Sequence, residues 1–286
     1  MYKRLCEILA IPAMALATAP GAAAAPIDCL NHICMVSAPG TEIQYQADTS
    51  TSSSQDPELS RFTFGGVNHL FEQEFEILFR DSSGVPTTSQ PFDLAGFNIF
   101  LTRAQADDVA NTISLTFQGS GLQIDQVLSL YNSGASAGLG QTVTVRNTST
   151  TAVDLSLFLY TDFDLNGIDN NDVSRYDGTT NTFIQHQDSV TATVRSLTTP
   201  DYYDTVLGSG ETLIIGSAFH DHLQNRGGPI GPGDARNAFE YQMQLAGGAS
   251  QSFSTSTTLV PEPSSLALLI FGIGALRAAG RHRMRA

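Results

Sequence analysis

Tryptophan is missing from this 286-residue chain, lysine occurs once, at Lys3, and cysteine three times. Each shortage excludes something. Without Trp, the commonest sugar-stacking platform is gone, so stacking on a glycan falls to Tyr and Phe. Lys3 and Arg4 stand at the front, and Arg277, Arg281, Arg283 and Arg285 at the back. Between these ends, eight Arg face 26 acids, a net charge of −18. Nucleic-acid binding is excluded, because it needs basic surface to release counterions from phosphate. Such a surface stays soluble and attracts cations. Three cysteines are too few for a disulfide framework.

What is present at the two ends reads as targeting. Lys3 and Arg4 precede an apolar run over residues 8–19, and small residues follow at 22–25. This is the pattern of a secretory signal peptide, cleaved after Ala24. At the other end the chain reads V-P-E-P-S-S-L-A-L-L-I-F-G-I-G-A-L-R-A-A-G-R-H-R-M-R-A. Pro261 and Pro263 fix φ and disfavour helix in the residue before each, so residues 260–263 are expected to be extended and accessible. Ser264 and Ser265 cap an apolar helix over residues 266–279, about 21 Å long against roughly 30 Å of hydrocarbon. Arg277, Arg281, Arg283 and Arg285 then hold the end on the cytoplasmic side.

An extended motif before a short apolar tail suits a membrane-protease substrate better than a permanent anchor. The tail resembles a PEP-CTERM sorting signal. Val260, Pro261, Glu262 and Pro263 carry the match, with the helix and the Arg-rich end behind them. The resemblance covers about a tenth of the chain. It implies that signal peptidase and an exosortase of a Gram-negative, exopolysaccharide-making bacterium act on the chain. It also implies a transient stay in the inner membrane, followed by a place at the cell surface or outside the cell. The expected division is residues 1–24 as signal peptide, 25–258 as ectodomain and 259–286 as sorting signal.

The ectodomain alternates apolar and polar residues in run after run. Examples are Phe97, Ile99 and Leu101; Ile113, Leu115 and Phe117; and Val153, Leu155, Leu157 and Leu159. Gly- and Ser-rich clusters separate the runs. Period-two alternation in runs of 5–10 residues marks half-buried antiparallel strands, and the expected fold is a large all-β sandwich. In residues 71–79, Glu72, Glu74 and Glu76 alternate with Gln73, Phe75 and Ile77, which reads as a strand with one acidic face. Asn147-Thr148-Ser149, residues 160–164, Gly233-Asp234 and residues 238–241 resemble ectodomains carried by PEP-CTERM proteins. Those are β-sandwiches without an assigned activity.

Few residues here point to chemistry. Cys29 and Cys34, in C-L-N-H-I-C, are expected to form a local disulfide in an oxidising compartment, adding about 2 kcal/mol; a metal site with His32 is the alternative. The run Y-T-D-F-D-L-N-G-I-D-N-N-D offers Asp162, Asp164, Asn166, Asp169 and Asp172 as candidate calcium ligands, alternate oxygens leading to a sharp Asn-Gly turn. Val173 stands where a helix-loop-helix site needs an acid. The alternative is a strand entering a turn with its acids solvated. If the strand from Val153 runs through Leu165, then Tyr160, Asp162, Asp164 and Asn166 share one face.

His220 and His222, in H-D-H, are a metal pair or a polar loop. Glu72 to Glu76 supply a candidate glycosidase carboxylate pair, in a chain where acids are everywhere. No serine sits in a nucleophile motif. The expected role is a structural or adhesive component of the exopolysaccharide or biofilm matrix, touching polysaccharide or other matrix proteins. The alternatives are a secreted carbohydrate-active enzyme and a calcium-dependent adhesion module.

Overall fold

The computed structural model of the chain describes residues 25–47, 58–70, 72–87, 94, 97–168, 171–208 and 222–261. The signal-peptide residues, Glu262, Pro263, the basic end, Asp169 and His220 lie outside them. Among the described residues, eighteen strands, β1 to β18 in chain order, form two sheets. The ten-stranded sheet runs β1 (Ile27–Asp28), β7 (Phe100–Asp107), β8 (Thr112–Gly119), β9 (Leu122–Asn132), β10 (Ala137–Asn147), β18 (Ser250–Pro261), β14 (Val190–Ser196), β13 (Thr182–Gln187), β12 (Asp172–Asp177) and β16 (Ile230–Gly233). The eight-stranded sheet runs β15 (Tyr202–Leu207), β17 (Ala235–Leu245), β11 (Val153–Asp162), β6 (Glu72–Arg80), β4 (Glu58–Phe64), β3 (Thr41–Gln46) and β2 (Ile33–Ala38), with β5 (Val67–Asn68) beside β4.

These strands pair antiparallel throughout, as the half-buried alternation requires. No helix among the described residues is long and apolar enough to cross a membrane.

The two inner faces make one core. Ile113, Leu115 and Phe117 from β8 meet Phe75 and Ile77 from β6, and the rings of Phe75 and Phe117 meet edge to face at 5.3 Å. Phe183, Phe239, Tyr241 and Phe253 continue the aromatic seam along the sandwich. β3 and β8 alternate buried and partly exposed residues as expected.

The centre of the eight-stranded sheet departs from that rule. β6, β11 and β17 are buried on nearly every residue. Leu78, Phe158, Tyr160 and Ala238 face away from the core, and Leu223, Tyr202 and Val206 pack over them as a second apolar cluster. Glu74 (9%) and Glu76 (7%) lie on this covered side, so the acidic face of β6 is not a solvated one. Alternation tells which residues share a face, not what lies over it.

β11 also stops sooner than expected. It ends at Asp162, and Leu165–Gly167 form one 3-10 turn in which Asn166 (φ 60°) and Gly167 (φ 69°) are left-handed. Asn and Gly tolerate that region, which a continuing strand does not use. At the N-terminus, Cys29 and Cys34 are joined by a disulfide with Cα atoms 5.4 Å apart, and the Cys29 N–H donates to the Ala104 carbonyl (2.9 Å). β18 pairs with β14 as far as Val190 opposite Pro261, so Val260 and Pro261 belong to the last strand and end it exposed.

Candidate functional site

Two groups of polar side chains stand on the eight-stranded sheet, away from the core. The first joins β6, β11 and β17. Arg80 closes β6; its Nε donates to Ser156 Oγ (2.9 Å), Nη2 to Glu240 Oε1 (3.1 Å) and Nη1 to the Gly84 carbonyl (3.0 Å). Ser156 Oγ donates to Glu240 Oε1 (2.9 Å), and the Leu223 N–H to Glu240 Oε2 (2.9 Å). Strand register places these groups together, since β11 lies between β6 and β17 with Ser156 opposite Leu78 on one side and Gln242 on the other.

The Arg80 and Glu240 side chains are 4% and 0% exposed, so the pair is desolvated, and the added donors from Ser156 and Leu223 offset that cost. His222 stands at the rim. Its Nδ1 lies 2.8 Å from Gln242 Nε2, 3.0 Å from Glu240 Oε1 and 3.1 Å from Arg80 Nη2, so the ring is tied to the buried pair. Tyr202 stacks on the imidazole at 4.4 Å and 9°. An open cleft of about 490 Å³ lies over this group, lined by Ser82, Ser83, Asp154, His222, Gln242 and Gln244 among others.

The second group gathers where β11 ends and β17 begins. Asp162, Asp164 and Asp234 each offer a carboxylate oxygen, all within 4.8 Å of one another. Asp162 Oδ2 accepts from Tyr160 Oη (3.2 Å) and lies 2.9 Å from Arg236 Nε. Arg236 Nη2 donates to Asp234 Oδ2 (3.0 Å). Burial pushes Asp162 up to about 7, against the Arg236 charge and with help from Asp234 and Asp164. Asp172 is pushed up to about 8, mainly by burial, while a hydrogen bond from Gln185 Nε2 (2.8 Å) opposes the rise. Asp172 therefore faces Gln185 inside the sandwich. Asn166 turns away: its N–H donates to His69 Nδ1 (3.2 Å) and its Nδ2 to the Gln187 carbonyl (3.4 Å).

Of the five residues proposed from sequence, the structure brings Asp162 and Asp164 into one carboxylate group, leaves Asp172 outside it but near enough to feel the charges of Asp162, Asp164 and Asp234, and turns Asn166 away. Asp169 lies outside the described residues. Asp234 was missed as a ligand, and so were Arg80 and Glu240 as partners. Asp234 lies 70 or more positions from the others, and only the pairing of Asp162 with Arg236 brings it near. No spacing signal marks such a partner. Glu72 and Glu74 fall in a second carboxylate group with Glu58, at the same 4.8 Å limit.

No family model matches the sequence, and no curated protein does. Solved structures are similar to this chain, and the first of the two that follow shares its fold. One is a bacterial glucoamylase complexed with acarbose, 9% identical, with a TM-score of 0.57, covering 85% of this chain and 35% of the other. Another is a galactose mutarotase-like protein from Lactobacillus casei, 8% identical, TM-score 0.49, covering 79% of this chain and 99% of the other. The chain thus spans about a third of the length of the glucoamylase, and the likeness defines the class as a two-sheet antiparallel β-sandwich of that fold.

Proposed function

We propose that this chain is an exported envelope protein whose sandwich binds a neutral polysaccharide of the extracellular matrix in the cleft above Arg80 and Glu240. The cleft carries the reading. Ser82, Ser83, Gln242 and Gln244 offer hydroxyl and amide donors and acceptors, which suit sugar hydroxyls. Gln242 and Gln244 are mounted on β17, and Ser82 and Ser83 on the turn that follows Arg80; the buried Arg80–Glu240 pair ties the two together before a ligand arrives. The charge of −18 between the end segments favours a neutral polymer over an acidic one. Glu240 has both oxygens engaged by Arg80, Ser156 and Leu223, an arrangement that fits a scaffold better than a proton donor. We also propose, from the tail alone, that its short apolar helix holds the chain transiently in the inner membrane until an exosortase cuts near the Pro261-Glu262-Pro263 motif.

The test is a glycan array with calorimetry on the purified protein, run beside a reducing-end assay. Gln242→Ala is expected to weaken binding at least fivefold, with an unchanged melting temperature and no sugar released. No binding to any neutral glycan would overturn the reading. Sugar release lost in Asp154→Ala would replace it with the enzyme reading. Mass spectrometry of protein from the native host is expected to find mature chains ending near Pro263. Chains extending only to Ala286 would remove the sorting step.

A further inference from the structure

We infer that Asp162, Asp164 and Asp234 form a binding site for a divalent cation, calcium by the chemistry of its ligands, at the end of the eight-stranded sheet. The site is separate from the cleft and does not depend on glycan binding.

Three carboxylate oxygens lie within 4.8 Å of one another. Oxygens bound to one calcium at 2.3–2.6 Å are at most about 5 Å apart, so one ion can touch all three. Proximity of acids alone is common on a chain this acidic. The second observation is Asp162 itself. Its side chain is 2% exposed, and its Oδ1 has no hydrogen-bond partner. Tyr160 and Arg236 occupy only Oδ2. A buried anionic oxygen left without a donor is costly, and almost every such atom in a folded protein has one.

Arg236 does not remove the deficit. It is one positive charge shared by Asp162 and Asp234, while Asp164 adds a third carboxylate. Its own Nη1 is buried without a partner, so its hydrogen bonds are not matched to these acids. A cation at Asp162 Oδ1, bridged to Asp164 and Asp234, supplies the missing charge. All the protein donors are carboxylate oxygens, which favours a hard cation over zinc or copper. The ligands come from the end of β11, from the residue just before the 3-10 turn and from the residue preceding β17, so binding joins the two strands where their ladder ends.

Two readouts on the purified protein, stripped with chelator, test this. The first is the melting temperature with millimolar calcium and with chelator. A rise of several degrees is expected, because a ligand bound only by the folded state stabilises it by mass action. The second is terbium luminescence. The chain has no Trp, and the Tyr160 hydroxyl lies 3.2 Å from Asp162, so excitation of tyrosine is expected to sensitise terbium that calcium then displaces. Asp164→Asn and Asp234→Asn are each expected to lower affinity at least tenfold while the protein stays folded. Glu74→Gln, in the neighbouring carboxylate group, is expected to leave both signals unchanged. The inference is overturned by equal melting temperatures with no emission. It is overturned too by signals that survive Asp164→Asn but not Glu74→Gln, or by an equal shift from potassium chloride at matched ionic strength.

Discussion

Replacing Glu240 by Ala is expected to lower the melting temperature by about 10 °C. The change removes the carboxylate that Arg80 meets inside the structure, where the two side chains are 4% and 0% exposed. Removing one partner of a buried ion pair costs about 3–5 kcal/mol, because the other charge stays buried without compensation. In a domain of this size each kcal/mol moves the midpoint by about 2–4 °C. The Ser156 hydroxyl and the Leu223 N–H lose their acceptor as well.

Glu240→Gln keeps the volume and one acceptor, so its loss is expected to be smaller. The diagnostic variant is Arg80→Met with Glu240→Leu. It removes both charges together and is expected to recover most of the stability lost in Glu240→Ala, while abolishing glycan binding by releasing the cleft. A midpoint for Glu240→Ala within 2 °C of the parent, by thermal melting at neutral pH, would mean that the pair is not desolvated.

How far such features were legible in the sequence depends on their range. The strands were, because a buried face writes itself as alternation: Leu155, Leu157 and Leu159 turn to the core while Phe158 and Tyr160 turn away. The Asn166-Gly167 turn was visible in its residue types, although the strand before it ends at Asp162 and does not run on through Leu165. The order of the strands was not legible. β10 lies beside β18, with Ala137 opposite Leu259, and no local pattern encodes a partner so distant.

The covered outer face had a trace, since Phe158 and Tyr160 stand on the side of β11 opposite its leucines, but two aromatic side chains do not say which segment packs on them. The same limit hid the sites. Arg80 and Glu240 are 160 positions apart, and each looks like an ordinary surface charge until β6, β11 and β17 are placed side by side. The run Asp162 to Asp172 was conspicuous because it is local. Its completing carboxylate, Asp234, was not.

The last expectation concerns Asn147, which sits where the chain leaves the ten-stranded sheet at the end of β10 and enters the other sheet at β11. It is fully buried. Its Nδ2 donates to the carbonyls of Thr151 (2.7 Å) and Leu245 (2.9 Å), and its Oδ1 accepts from the Ser149 N–H (3.0 Å) and Ser149 Oγ (2.7 Å). The amide thus closes the crossover loop and ties it to the end of β17. Space is tight there: a Cβ on Gly247 would come 2.6 Å from the Thr150 carbonyl carbon. Asn147→Asp changes almost no volume, so no cavity confuses the result. It sets a carboxylate oxygen against two carbonyls where a donor stood.

Each unsatisfied buried group costs about 1–3 kcal/mol, and a buried charge adds to that, so a loss of about 4 kcal/mol at neutral pH is expected. Burial raises the pKa of the introduced carboxyl above its unfolded value. The neutral form, which donates one O–H, is then favoured in the fold, and stability is lost as pH rises through that folded value. Urea melts at pH 5 and pH 8 are therefore expected to show Asn147→Asp much closer to the parent at the lower pH. Asn147→Ala, which titrates nothing, is expected to lose about 3 kcal/mol at both. A pH-independent gap for Asn147→Asp, or a loss under about 1 kcal/mol in either variant, would show that this amide does not hold the crossover.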